Sequence, residues 1–147
     1  CANLSSAILR GAILSGANLS GAILSGVKHD LTTTWPNSSI VTEDGPFYAF
    51  KKLKDGAIAK LYIPSSAKRI GGLIGRKCRA SKVKVISITD TKGNSITQSM
   101  SVTQNPGLTY NVGTWVKPEK EFDNDFTKEC TSGIHFFMTK REAIEYI

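Results

Sequence analysis

Leucine recurs at every fifth position through the first 24 residues of the chain. Neither a helix, with 3.6 residues per turn, nor a strand, with a period of two, keeps every fifth residue on one face. A small residue stands two positions before each leucine, so both positions are predicted to point inward and the other three outward. The predicted inward stack comprises Leu4, Leu9, Leu14, Leu19 and Leu24, with Ala7, Ala12, Ala17 and Ala22.

These units resemble those of the pentapeptide-repeat family, whose A(D/N)LXX pattern matches the unit "ANLSG" at 17–21. The resemblance covers about residues 1–31. It implies a right-handed quadrilateral β-helix with four units per coil, leucines stacked along the axis and alanines at the inward corners. The alternative is a helix or a linker rich in Ala, Leu, Ser and Gly. Successive units end in glycine, however, and each glycine would cost a helix about 1 kcal/mol relative to alanine.

The repeat pattern breaks at His29, which takes the place of a leucine. Trp35 and Pro36 are predicted to cap the last coil, because a large aromatic ring covers the exposed stack and proline stops further ladder pairing. The units present make roughly one and a half coils, and a solenoid unit needs neighbours to bury its apolar face. We therefore expect further repeats or a protein partner to stack on the N-terminal edge, where Cys1 occupies the last position of a preceding unit.

A region with strand and turn signals begins at Phe47. Thr139, followed three residues later by Glu142, predicts a capping box at the start of a C-terminal helix. Gly93, in the turn at 90–95, predicts a hairpin. Apolar alternation predicts strands at 57–64, 82–89, 96–103, 108–113 and 133–137.

The predicted fold is therefore mainly β. The end of a pentapeptide-repeat β-helix occupies 1–35, a linker 36–46, and a small α+β domain with antiparallel strands and a C-terminal helix 47–147. The segments "RKCRASKVKVISI", "YNVGTWVKP" and "ECTSGIHFFMTKREAIEY" resemble an uncharacterised domain that follows pentapeptide repeats in some bacterial, phage and giant-virus proteins. This second resemblance implies no particular activity.

The formal net charge of +7 is unevenly distributed, since residues 51–92 hold twelve basic residues against two acidic ones. Such density is typical either of a solvated face or of a surface that binds phosphate. The most basic part, "AKRIGGLIGRKCRASKVK" at 67–84, lacks interleaved aromatic residues, and its "GGLIG" stretch matches neither a P-loop nor a dinucleotide-binding motif. The candidate phosphate or partner patch consists of Lys68, Arg69, Arg76, Lys77, Arg79, Lys82 and Lys84.

The chain holds three cysteines, an odd number without CxxC spacing, which favours reduced thiols in an intracellular setting. Glu129, Cys130 and His135 lie within seven residues and allow two interpretations. One is a thiolate nucleophile with its base. The other, which we favour, is structural, with Cys130 buried and His135 satisfied by a backbone or carboxylate partner. The scattered cysteines and two histidines do not form a metal-ligand set, so we expect neither metal nor cofactor.

Two classes of function remain from the sequence. The first is a non-enzymatic structural or protein-interaction module at the C-terminal end of a pentapeptide-repeat protein, for example within a viral or phage particle. The alternative is a nucleic-acid-associated protein that binds phosphate through residues 68–84. No run of 18 apolar residues occurs, so no membrane association is expected. We expect a cytoplasmic or virion location rather than secretion, and a homo-oligomer or a larger assembly stays open.

Overall fold

The computed structural model describes residues 2–19, 21–35, 40–41, 44–72, 75–102, 107–128 and 130–147. Within these ranges the chain is mainly β, with antiparallel sheets and one short C-terminal helix, which confirms the predicted class at that level. The elements are β1 (Phe47–Lys52), β2 (Ile58–Ile63), β3 (Arg69–Ile70), β4 (Cys78–Ala80), β5 (Val83–Thr89), β6 (Ser95–Ile96), β7 (Gln98–Met100), β8 (Thr109–Asn111), β9 (Trp115–Val116), β10 (Ile134–Phe136) and α1 (Lys140–Glu145).

The described strands form three sheets. The largest has the order β1-β2-β5-β6. Strand β9 pairs with the same edge of β5 as β6 does, with β6 at the C-terminal end of β5 and β9 at its N-terminal end. A second sheet has the order β10-β4-β3, and β7 pairs with β8 in a third. Paired backbone groups at Phe50 and Phe137 join the first sheet to the end of β10, with N–H···O distances of 2.8 and 2.7 Å.

Several elements form where local signals predict them. The predicted strands at 57–64 and 82–89 correspond to β2 and β5. The turn between β5 and β6 is closed by the carboxylate of Asp90, which accepts from the backbone of Lys92 and Asn94, while Gly93 has a φ of 90°. The capping box of α1 is also confirmed.

Other strands differ from the prediction. The region 96–103 does not form one strand: the chain leaves β5 after Ile96 and pairs with β8 from Gln98 onward, while residue 103 lies outside the described residues. The sequence patterns also missed β1, β3, β4 and β9. Three of these have two or three residues, too few for an alternating pattern to stand out.

The main core lies between the inner face of the large sheet and the β10-β4-β3 sheet. Val83 and Val85 of β5 are fully buried, as their alternation with lysines predicts. They pack in one cluster with Leu61 of β2, Cys78 of β4 and Phe136 of β10. A smaller cluster on the opposite face of the large sheet joins Ile58, Phe137 and Ala143, with Phe50 packed against it. Helix α1 therefore covers one end of that outer face.

In the repeat segment, parallel bridges join residues 20 or 21 positions apart. The bridges are Asn3–Ile23, Ile8–Lys28 and Ile13–Thr34. Between them the chain turns every five residues, since the carbonyl of each leucine accepts a bond from the backbone N–H three residues later, at 2.9–3.2 Å. Gly11, at the third position of one such turn, has a φ of 68°, which glycine adopts without steric cost. The chain thus returns to the same side after four units.

The connection between the two regions takes part in the domain core. Val41 is buried in the main cluster, and Ile40 packs against it. Arg69 donates a 2.6 Å bond to the carbonyl of Gly45. Residues 36–39, which include the predicted cap residue Pro36, lie outside the described residues.

Candidate interaction surfaces

Exposure in the repeat segment follows the five-residue period. Leu19, Ala22 and Leu24, near the middle of the stack, are buried, and the other leucines and alanines of the predicted stack are half-buried. The described residues at the remaining positions of the units, among them Ile8 and Ile13, are exposed. The outward surface therefore carries isolated isoleucines among Ser, Asn and Gly.

One extra residue near the end of the repeat segment moves Trp35 into a leucine position of the five-residue register. Thr34 exchanges backbone bonds with Ala12 and Leu14 in the way that Lys28 does with Ala7 and Leu9, one unit earlier. The insertion lies in the turn after Asp30. The Asp30 carboxylate accepts from the Thr32 backbone at 3.0 Å and from its hydroxyl at 2.6 Å. These bonds lower the pKa of Asp30 and hold the longer turn in place.

An aromatic junction joins the end of the repeat segment to the C-terminal domain. It consists of His29, Trp35 and Phe126. Trp35 packs edge-on against both other rings, with centroid distances of 5.4 Å to His29 and 5.0 Å to Phe126, and His29 lies 6.1 Å from Phe126. His29 Nε2 is also 3.9 Å from Asp125 Oδ1. Phe126 lies in a polar stretch and was missed by the sequence patterns, because its neighbours give no periodic signal.

The structure divides the predicted basic patch, and Arg79 is the clearest correction. Its side chain is 2% exposed. The guanidinium donates to the carbonyl oxygens of Asp123 and Asp125 at 2.7 Å each and of Ser132 at 3.1 Å. It also lies 5.7 Å from the centre of the Phe122 ring. Arg79 therefore holds the segment around Asp123 and Asp125, together with Ser132, against β4 and does not belong to a solvated surface.

Other members of the patch are also engaged within the chain. The Arg69 guanidinium donates to the carbonyls of Gly45, Pro64, Ser65 and Ala67 and lies 5.3 Å from the centre of the Phe47 ring. Arg76 pairs with Glu142, the carboxylate of the helix capping box. These two arginines fasten β3 and the start of β4 to their surroundings.

Three lysines of the patch remain for an external partner. Lys68 is exposed, and Lys82 and Lys84 are half-buried. None of the three forms an ion pair with a carboxylate in the part of the chain that the structure describes. The basic segment by itself thus offers much less positive surface than its sequence predicts.

The prediction that Cys130 is buried is wrong. Cys130 is exposed, and its thiol lies 3.2 Å from the ammonium of Lys77, which is also 3.2 Å from the Tyr146 hydroxyl. Burial disfavours the charge on Lys77, but the bonds to Cys130 and Tyr146 outweigh it and raise the pKa of this lysine. Cys78, in contrast, is fully buried, and burial raises the pKa of its thiol to about 11.

The structure gives the Cys130 thiol a partner other than the histidine considered as its base. The hydrogen-bond partner of the Cys130 thiol is Lys77, whereas His135 lies in β10 between the buried residues Ile134 and Phe136. The backbone carbonyl of His135 accepts a bond of 3.2 Å from the ammonium of Lys51. Glu129 lies outside the described residues.

Lys51, at the edge of the large sheet, is a cation with a strongly shifted pKa. Burial, and secondly repulsion by Lys77, lower its pKa to about 8.

Over the described ranges, no group of three or more His, Cys, Asp or Glu side chains is placed to hold a metal ion. Within the same ranges, no helix has the length and hydropathy needed to span a membrane.

Comparison with family models identifies both regions. Residues 37–143 match a model described as "Family of unknown function (DUF5758)", and residues 1–28 match "Pentapeptide repeats (8 copies)". The first match covers more than half of the chain, so the chain belongs to this family of unknown function, with pentapeptide repeats preceding the family domain. Both sequence resemblances are thereby confirmed. Neither the curated proteins nor the solved structures contain a match.

Proposed function

We propose that the chain is a non-enzymatic structural and protein-interaction module. In this proposal, residues 1–35 are the end of a right-handed quadrilateral β-helix, and the C-terminal domain is fastened to its last coil. The five-residue turns and the parallel bridges 20 or 21 residues apart support the β-helix, since four units return the chain to the same side. The family matches support the combination of repeat and domain.

The aromatic junction carries this proposal. A structural module has to hold the repeat and the domain in a fixed arrangement, and a packed cluster of aromatic rings fixes that arrangement. Phe126 reaches from the domain to Trp35, which occupies a leucine position of the second coil. The two rings meet edge-on, the arrangement that the charge distribution of aromatic rings favours. The domain thus takes part in closing the apolar stack of the repeat.

A double-mutant cycle tests the junction. Trp35→Ala and Phe126→Ala are measured singly and together by urea denaturation of the full chain. We expect a coupling free energy of about 0.5–1.5 kcal/mol beyond additive behaviour, because each substitution removes the partner of the other ring. Leu31→Ala provides the control with Phe126→Ala, since Leu31 is fully exposed in the same coil and should behave additively. Additivity of Trp35→Ala and Phe126→Ala would overturn the proposed attachment.

The second part of the proposal concerns the N-terminal edge of the first coil. The bonds to the second coil use the N–H groups of Leu4, Leu9 and Leu14. Strand geometry directs the alternate groups, including those of Ile8 and Ile13, to the opposite side. We propose that this edge pairs with further protein backbone, from more repeats, another copy of the chain or a different protein.

Amide hydrogen exchange of the full chain tests pairing at this edge. The amides of Leu9 and Leu14 act as internal controls and should exchange slowly, because they bond within the coil pair. If the edge is paired by another copy, the amides of Ile8 and Ile13 should become equally slow as the protein concentration rises. Fast exchange of Ile8 and Ile13 at every concentration would contradict self-association through this edge.

A further inference from the structure

The outer face of the large sheet has one covered end and one open end. At the covered end, Phe50 and Ile58 pack beneath helix α1. At the open end, Tyr48 and Trp115 are 53% and 52% exposed. Both rings are large, and exposed apolar side chains mark an interaction surface when they form a contiguous patch.

A single row of side chains crosses four strands at the open end. The register pairs Tyr48 of β1 with Tyr62 of β2, Tyr62 with Lys84 of β5, and Lys84 with Trp115 of β9. Directly paired residues of neighbouring strands point to the same face. The row therefore extends over three strand spacings, or about 14 Å. We call it the aromatic row. Its two tyrosine rings lie 5.7 Å apart at an angle of 58°.

The surroundings of the aromatic row are positively charged. Lys84 stands within it, and the Lys60 ammonium lies 4.7 Å from the centre of the Tyr48 ring. Neither lysine pairs with a carboxylate among the described residues. Lys82 and Lys117 follow just beyond the paired ends of β5 and β9.

The four strands that form this face carry no negative charge. Their sequences are FYAFKK, IAKLYI, VKVISIT and WV, without Asp or Glu. An apolar protein partner would not require that bias, whereas a polyanion would be repelled by any carboxylate placed there. The combination of exposed rings, ammonium groups without a carboxylate partner among the described residues, and strands without Asp or Glu is complementary to bases and phosphates.

We propose that the aromatic row binds single-stranded nucleic acid. Bases stack on Tyr62, Trp115 and Tyr48, and the phosphates lie against Lys60 and Lys84. A base that stacks on Tyr48 displaces the Lys60 ammonium from that ring and directs it toward a phosphate. In one known class of module, aromatic side chains on the face of a four-stranded sheet stack two or three bases. Duplexes bind less well, because their bases are already stacked on one another.

This inference goes beyond the proposed structural role and moves nucleic-acid binding away from the basic segment. Of the seven residues of the candidate patch at 68–84, Lys84 alone belongs to the row. The stacking residues come from β1, β2 and β9, outside the segment. The two locations are therefore separable by substitution.

Fluorescence anisotropy with a labelled ten-nucleotide single strand and the matching duplex tests the proposal on the full chain. We expect the single strand to bind more tightly than the duplex. Trp115→Thr and Tyr62→Thr should each weaken binding about 5- to 150-fold, whereas Trp115→Phe, which keeps a ring, should retain most of it. Threonine preserves strand preference, and circular dichroism melting verifies that each variant is folded.

The salt dependence of binding separates charge from stacking. Lys60→Gln and Lys84→Gln should each reduce the slope of log K against log salt by about 0.7, while the ring variants should leave the slope unchanged. Lys92→Gln is the matched control, since it removes the same charge from the exposed hairpin turn. Absence of single-strand binding at low salt would overturn the proposal. So would equal affinity of wild type and a folded Trp115→Thr variant, or equal losses in Lys84→Gln and Lys92→Gln.

Discussion

Replacing Arg79 with methionine should destabilise the chain more than any substitution of an exposed arginine. The guanidinium makes three hydrogen bonds of 2.7, 2.7 and 3.1 Å to the carbonyl oxygens of Asp123, Asp125 and Ser132. Methionine has a similar length and fills the space beside Phe122, but it donates nothing. The substitution therefore isolates the loss of these bonds from the loss of side-chain volume.

The expected magnitude follows from the number and kind of bonds. A hydrogen bond from a charged donor contributes about 1.5–3 kcal/mol. The three contributions will not add fully, because the released segment regains water and the variant no longer buries a charge. We expect the free energy of unfolding to fall by about 3–4 kcal/mol, which corresponds to a decrease in Tm of about 10 °C for a chain of this size.

Urea denaturation of the full chain provides the measurement, with Arg141→Met as the matched control. Arg141 is exposed and pairs with Glu145 one turn away in the same helix. Such a pair contributes about 0.5 kcal/mol or less. Arg79→Lys should be intermediate, because it keeps the charge but loses the fork of donors. A loss below about 1 kcal/mol for Arg79→Met, or equal losses in Arg79→Met and Arg141→Met, would refute the assigned role.

The same substitution should also loosen the aromatic junction. Phe126 lies inside the segment that Arg79 holds, and it contacts Trp35. We therefore expect the fluorescence of Trp35 to shift to longer wavelength in Arg79→Met before global unfolding. An unchanged emission maximum would mean that the junction holds its geometry without this arginine.

Three further outcomes are expected. Cys130 should react with iodoacetamide in the native chain, while Cys78 stays protected until denaturation. The reason is that Cys130 is exposed, whereas Cys78 is buried and its thiol has a pKa of about 11. Peptide mapping that finds equal reaction rates for the two cysteines would contradict this. Leu24→Asp should lower the free energy of unfolding by more than about 2 kcal/mol, whereas Ser25→Asp should change it hardly at all. The reason is that Leu24 is 4% exposed and Ser25 faces water. Equal melting temperatures of the two variants would refute the repeat register. The folded chain releases the proton of Lys51 near pH 8 and the unfolded chain near 10.5, so this lysine makes stability rise with pH over that window. The stability of Lys51→Met relative to wild type should therefore decrease from pH 8 to 10.5, and a difference independent of pH would exclude the shift.

Local features of the sequence predicted the parts of the fold that depend on near neighbours. The five-residue period places Leu24 inward and Ser25 outward because both preferences arise within one unit. The α1 capping box at Thr139 needs only the residue three positions later. The hairpin turn at Asp90 needs only the next few residues. Each of these structures forms from contacts that a short window of sequence contains.

The tertiary structure decided which charged and aromatic residues meet. A run of basic residues indicates positive charge, but it does not predict that the Arg79 side chain is buried. The carbonyl groups that accept its hydrogen bonds lie more than 40 positions away in the sequence. The contact between Trp35 and Phe126 is likewise long-range, and no periodic pattern in the sequence predicts it.

The aromatic row is the clearest example of a surface that sequence patterns do not predict. Tyr48 and Trp115 stand in one row only because β1, β2, β5 and β9 pair in that order and register. A shift of one residue in any of these strands would send its side chain to the opposite face. The sequence by itself therefore determined the repeat, its turns and the terminal helix. Long-range strand pairing decided which side chains share a surface, because pairing partners are chosen by packing across the whole domain.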